Sequence, residues 1–195
     1  SNVTNMKLMF QGASECNHSL NSWDVSNVTN MESMFRLASV FNHSLNSWDV
    51  SNVTNMLKMF KNASVFNQDI DGWNVSNVTN MFEMFHSASE FNHSLNSWDV
   101  SNVTNMDSMF ASATIFNKDI SGWCVYQIVS EPNNFSTSSA LSVANKPVWG
   151  ICPGCTDPSK FNYNSNANVD DGLCVDRAYG CTDPTAVNYD STVNT

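Results

Sequence analysis

Apolar residues return along this chain on a regular beat. Met31, Met34, Phe35, Ala38 and Phe41 fall at i, i+3, i+4, i+7 and i+10, the spacing of the buried stripe on an amphipathic helix. Asn30, just before the stripe, stands where a side chain caps a helix N-terminus. Upstream, Leu20, Trp23 and Val25 are separated by polar residues, and Ser22, Asp24 and Ser26 alternate with Trp23 and Val25 so as to face away from them. The pattern predicts one short strand followed by one helix.

That pair of elements recurs. The hexapeptide SNVTNM opens the chain and returns at Ser26, Ser51, Ser76 and Ser101, an unbroken period of 25 residues over 1–125. Periods of about 20–50 residues mark stacked repeats, and a single unit cannot bury its own Trp and Met–Phe stripe without neighbours. Trp23, Trp48, Trp73, Trp98 and Trp123 are expected to form one column, and Phe10, Phe35, Phe60, Phe85 and Phe110 another. Leu20, Trp23 and Val25 also match the LxxLxL strand of leucine-rich repeats. The expected fold is α/β: a leucine-rich-repeat-like solenoid with a strand plus a helix in each coil and a parallel sheet. With strands about 4.8 Å apart, five coils give a sheet roughly 24 Å long. Stacking in register lines up Asp24, Asp49 and Asp99, with Asn74 interrupting the repulsion between them. Such a row reads either as a binding face for calcium or another ligand, or as a solvated row that water screens.

Only 13% of residues are charged, about half the usual share of about 25%, so Asn, Ser, Thr or attached glycans must keep the surface wet. Eight Lys and Arg against a net charge of -10 argue against nucleic acid, which needs clustered cations, and against a basic membrane-surface patch. No run approaches the ~18 apolar residues of a membrane span. The chain starts in mid-pattern without Met and stops inside a motif, and so reads as a piece of something longer. Enzyme chemistry is not expected. His18, His43 and His93 share one repeat position and form a row instead of a cluster, and no phosphate loop, HExxH or GxSxG occurs. Of the six Cys, only Cys152 and Cys155 form a CxxC, which favours disulfides in an oxidising compartment over zinc. Cys16 takes the place of Phe41, Phe66, Phe91 and Phe116, as a buried thiol or as half of a bond to an upstream partner.

Repeats of the form WDVSNVTNMxxMFxxAxxFNxDI resemble the BspA-like 25-residue surface repeat of adhesins and surface lipoproteins, across all of 1–125. The segment 126–153 resembles the terminal cap of such arrays. The resemblance implies that Cys124, which replaces the Asp of the row, bonds Cys152 to tie the cap down. Residues 154–179 open with GCTDP, and the same letters return at Gly180 to begin a truncated copy over 180–195. Both resemble small disulfide-stapled modules of secreted proteins. That likeness implies a Cys155–Cys174 bond compensating for a minimal core, and a partner for Cys181 further along. In the first module Asn164, Asn166, Asn168, Asp170 and Asp171 precede Gly172, which reads as a calcium loop poor in carboxylates or as a run of Asx turns. Calcium is the one cofactor suggested.

Eleven N-glycosylation acceptors occur. Asn2, Asn27, Asn52, Asn77 and Asn102 belong to the NVT of the repeat consensus, where Asn also serves turns. Asn17, Asn42 and Asn92 arise where FNHSL replaces FNQDI or FNKDI, a departure that removes charge and favours a glycan there. Asn62, Asn74 and Asn134 complete the set. The expected role is a secreted, glycosylated structural segment of a filament or cell-surface appendage, partnered by copies of itself or by other extracellular structural proteins. The alternative is an adhesin binding a protein or polysaccharide through the strand face.

Overall fold

The computed structural model describes residues 2–177. Two compact units divide the chain, Ser1–Gly150 and Ile151–Thr195. The second GCTDP stretch, with Cys181, lies outside the described residues.

The expected strand-plus-helix coil does not form. Among the described residues there is no α-helix; regular structure is a short 3-10 turn at Val143–Asn145 and two strands, β1 (Pro153–Gly154) and β2 (Val169–Asp170). The stripe over 31–41 is instead a chain of tight turns. Amides of Met34, Arg36 and Ala38 donate to the carbonyls of Met31, Ser33 and Phe35, three residues back, at 3.1, 3.2 and 3.1 Å. The intervening amides of Met31, Ser33, Phe35 and Leu37 donate to Asn55, Leu57, Met59 and Lys61 in the next coil, at 2.8 to 3.0 Å. These alternating donors are all satisfied, so a helical ladder has nothing to offer them. Two successive four-residue turns, 31–34 and 35–38, overlapped by the Ser33–Arg36 bond, bury residues 31, 34, 35 and 38, the same set that a helix would bury.

The 31–34 and 35–38 turns each place a left-handed residue at the third position, Ser33 (φ 56°) and Leu37 (φ 61°), and later coils Lys58 and Asn62, Glu83 and Ser87, Ser108 and Ser112. None is β-branched, the class that tolerates this region worst. Asn30 does cap, but not a helix. Its Oδ1 accepts the amide of Glu32 at 2.9 Å in an Asx turn, and Asn5, Asn55, Asn80 and Asn105 do the same.

The Leu20–Val25 strand is also absent. Trp23 donates back to Leu20 and Val28 back to Val25, closing turns at 3.0 and 2.8 Å. Within the coils, parallel pairing among the described residues is limited to single bridges joining Asn5, Asn30, Asn55, Asn80 and Asn105 in order, in place of the expected sheet. Beside it runs a Thr ladder: the amides of Thr29, Thr54, Thr79 and Thr104 donate to the Thr carbonyl one coil earlier at 2.8 to 2.9 Å, and their hydroxyls reach the same carbonyl at 3.2 Å.

Stacking brings the apolar positions into columns. Phe10, Phe35, Phe60, Phe85 and Phe110 lie face to face at 5.5 to 5.6 Å, and Phe41, Phe66, Phe91 and Phe116 at 5.8 to 6.3 Å. Trp48, Trp73, Trp98 and Trp123 are buried, and each indole N–H donates to a carbonyl of the preceding coil at 2.9 to 3.0 Å. Their polar edge is thereby satisfied inside the core. Trp23, in the first coil, is 38% exposed.

Residues 126–150 prolong the stack as a sixth, irregular coil. Ser108, Phe110 and Ser112 donate to Asn133, Phe135 and Thr137 at 2.8 Å, and Asn134 and Ser138 supply the left-handed pair. Phe135 meets Phe110 edge-on and Trp149 packs edge-on against Phe135.

In the second unit β1 pairs with β2 in parallel, and Cys155 bridges to Tyr163. A disulfide joins Cys155 to Cys174. Cys124 and Cys152 are also each disulfide-bonded, whereas Cys16 is a free, half-buried thiol.

Candidate functional site

Chemistry on a repeat stack comes in rows, because each coil places the same position beside its predecessor. The Asp row is one of them. Asp24, Asp49, Asn74 and Asp99 are exposed, and each turns its Oδ1 onto the amide of the Ser two residues on, at 3.0 to 3.1 Å. For Asp24 and Asn74 the Ser hydroxyl joins in. The Ser51 hydroxyl and then its amide hold the Asp49 carboxyl below the usual range, outweighing burial and the neighbouring Asp24 charge. Asp therefore recurs here first as a turn former. An open hollow of about 380 Å³ lies over part of the row, lined by Asp71, Trp73, Asn74 and Asp99.

The two families of acceptor asparagines behave differently. In the NVT set the side-chain Nδ2 of Asn52, Asn77 and Asn102 donates to the carbonyl of Ser26, Ser51 and Ser76 in the preceding coil, at 2.7 to 2.8 Å. Gln127 continues this ladder to Ser101. In the FNHSL set the oxygen is used: Oδ1 of Asn17, Asn42 and Asn92 accepts the amide of Asn42, Asn67 and Asn117 in the next coil. Among the described residues no hydrogen bond leaves Nδ2 of these three. Asn2 and Asn27 are exposed; Asn62 and Asn134 occupy left-handed turn positions; Asn74 belongs to the Asp row.

The His row does not converge either. His43 and His93 each contact an Asn carbonyl of the preceding coil, Asn17 and Asn67, at 2.9 and 3.1 Å. In the second unit a side-chain oxygen of four of the five residues proposed for calcium accepts a backbone amide. Asn164 accepts from Asn166, Asn168 from Cys152, Asp170 from Gly172 and Asp171 from Leu173. Among the described residues no group of three or more His, Cys, Asp and Glu gathers. The bonds of Asn164, Asp170 and Asp171, each to the residue two positions on, are Asx turns.

A basic cluster is the group that sequence reading passed over. The backbones of Arg36, Lys61 and His86 are in register: the amides after Arg36 and Lys61, those of Leu37 and Asn62, donate to the carbonyls of Lys61 and His86, each at 2.8 Å. Lys61 and Lys58 share the Glu83 carboxylate at 2.6 and 3.5 Å, and Lys58 also lies over the Phe82 ring. Arg36 enters no ion pair among the described residues, and its Nε is enclosed without a hydrogen-bond partner. A 25-residue spacing of Arg36, Lys61 and His86 was visible in the sequence, but the helix reading hid its meaning.

Burial pushes the Glu83 carboxyl up, but hydrogen bonding to Lys61 and the charges of Lys61 and Lys58 outweigh it, so its pKa lies below 4.5. Burial and then the Lys61 charge depress His86 below 6.5, against the pull of Glu83. The folded state therefore binds these protons less readily than the unfolded chain, and acid destabilises it. As pH falls, the His86 contribution is lost from 6.5 downward to its lowered folded value, and the Glu83 contribution from 4.5 downward in the same way. We expect His86→Gln to remove the earlier loss and leave the later one, as read from urea midpoints across a pH series. An unchanged profile in that variant contradicts the assignment.

The family described as "Mycoplasma protein of unknown function, DUF285" matches residues 1–93 and again 44–149. The chain belongs to the DUF285 family. The overlapping matches cover the five DUF285 coils and run through most of the sixth, where the hydrogen-bond pattern also continues. They place the chain with BspA-related surface repeat proteins. No curated protein and no solved structure matches it. Family membership and disulfides together indicate an extracellular protein, and among the described residues no helix is long and apolar enough to cross a membrane.

Proposed function

We propose that this DUF285 chain is an extracellular structural segment of a filament or cell-surface appendage, with no catalytic role. The observation that supports it most is the continuity of the stack. Asn, Thr and Trp ladders and aromatic columns run from coil to coil and hold neighbours together. Head-to-tail contacts between copies grow into filaments when their rotation does not close.

N-linked glycans belong to the same reading. Asn17, Asn42 and Asn92 suit them best, since their Nδ2 atoms are not spent on ladders, whereas glycans on Asn52, Asn77 and Asn102 compete with a bond to the preceding coil. A recognition role is the second reading, favoured by the hollow over Asp71, Asn74 and Asp99.

Imaging native, unreduced material by electron microscopy, with glycopeptide mapping of the same sample, tests both. Linear polymers with sugars on Asn42 and Asn92 are expected. Dispersed monomers at every concentration, or bare Asn42 and Asn92, count against the corresponding part. Ligand binding lost on changing Asp24, Asp49 and Asp99 supports recognition instead.

A further inference from the structure

We propose that Arg36 and Lys61, flanked by Lys58, form a binding site for the oxyanion groups of an acidic polysaccharide. The site shares no residue with the Asp row and is independent of the filament reading.

Charge is distributed unevenly in this chain. Of its eight Lys and Arg, four (Lys7, Arg36, Lys58 and Lys61) fall in the turn segments of the first three coils. Lys7 is neutralised by Glu32 at 3.0 Å. Around Glu83 the balance is different, because its single carboxylate serves both Lys58 and Lys61 and leaves Arg36 alone. Arg36 and Lys61 sit at the same position of adjacent coils, as the Leu37-to-Lys61 hydrogen bond fixes, which sets their backbones about 4.8 Å apart. Like charges on adjacent coils repel, and an oxyanion between them relieves that repulsion; Arg also presents a planar fork whose outer nitrogens fit carboxylate and sulfate groups. His86, next in the row, registers the positive potential through the Lys61 charge.

The overall charge of -10 does not forbid this. At physiological salt, charges beyond about 8 Å are largely screened, so a ligand on this face senses the local surplus. The row also offers little to a peptide. Its amides already donate to the next coil or three residues back, leaving no free edge for an added strand. What remains is a pair of cations one coil apart, Arg36 and Lys61, which suits a polymer carrying closely spaced anions.

The test is binding of the full chain to immobilised dextran sulfate, alginate and neutral dextran, compared with the double variant Arg36→Gln/Lys61→Gln and with Lys118→Gln as a control. The parent is expected to bind at least one acidic polymer in a salt-sensitive way, and the two acidic polymers show whether sulfate or carboxylate is preferred. The double variant should bind at least tenfold more weakly while keeping the parent's circular dichroism spectrum, and the control should match the parent. Failure of the parent to bind either acidic polymer overturns the proposal. So does equal binding to neutral dextran, or a double variant that binds like the parent. Capture of polyaspartate in preference to both polysaccharides overturns the choice of ligand.

Discussion

Phe85→Ala is expected to destabilise the repeat unit by about 3–5 kcal/mol, the range for removing a fully buried aromatic ring. Phe85 sits in mid-stack, fully buried, with rings on four sides: Phe60 and Phe110 above and below at 5.6 Å, Phe91 at 4.3 Å and Trp98 at 6.3 Å. Coils held by interleaved ladders cannot slide together to fill the void without breaking hydrogen bonds on both sides. Stability in such an array is a sum over neighbour interfaces, and this ring belongs to two of them. For a unit of this size, about 2–4 °C is lost per kcal/mol, so thermal melting should show a drop of roughly 10 °C. Phe10 provides the contrast. It is only partly buried and stacks on one coil, touching Phe35 and Trp23, so Phe10→Ala should cost about 1–2 kcal/mol. Equal losses at both positions contradict a core built from neighbour contacts.

The ring columns were legible in the sequence because burial repeats at the period of the stack: a position that is Phe or Trp in every unit has to face inward whatever the backbone does. The type of element was not legible. A stripe at i, i+3, i+4 and i+7 is produced by a helix or by two successive four-residue turns, and what separates them is where alternate amides find acceptors. Here those acceptors, Asn55, Leu57, Met59 and Lys61, lie one coil away, beyond the reach of a local pattern. Turn residues gave a faint signal. The left-handed position of Leu37, Ser87 and Ser112 is Gly12 in the first coil and Asn62 in the third, and Gly and Asn are the residues that favour it. The Asp row was placed on the surface correctly, yet its repetition follows from Asp–Val–Ser turns as much as from any ligand. Arg36 and Lys61 gained meaning only once turns replaced the helix and brought the two positions side by side.

Removing the Cys155–Cys174 disulfide should unfold most of the second unit and leave the repeat stack intact. Within the described part of that unit, Phe161, Tyr163, Leu173 and Val175 are 43–69% exposed, while Cys152 and Cys155 are buried. So little apolar area is enclosed that burial cannot offset the ordering of the chain. The bond spans 19 residues, and closing a loop of that size restricts the unfolded chain by about 3 kcal/mol. What remains without it is a two-residue strand pair and a few side-chain contacts, such as Asn162 gripping the backbone of Leu173 and Val175 at 2.9 and 2.7 Å. The double variant Cys155→Ala/Cys174→Ala is the right probe, because a reductant also attacks the disulfides of Cys124 and Cys152. In that variant we expect amide hydrogen exchange across 156–174 to become fast and proteolytic cleavage to begin there, with the thermal midpoint of the repeat unit unchanged. Retained protection over 156–174 means that contacts other than the disulfide hold the unit. Loss of protection in the coils as well means that the two units do not fold independently.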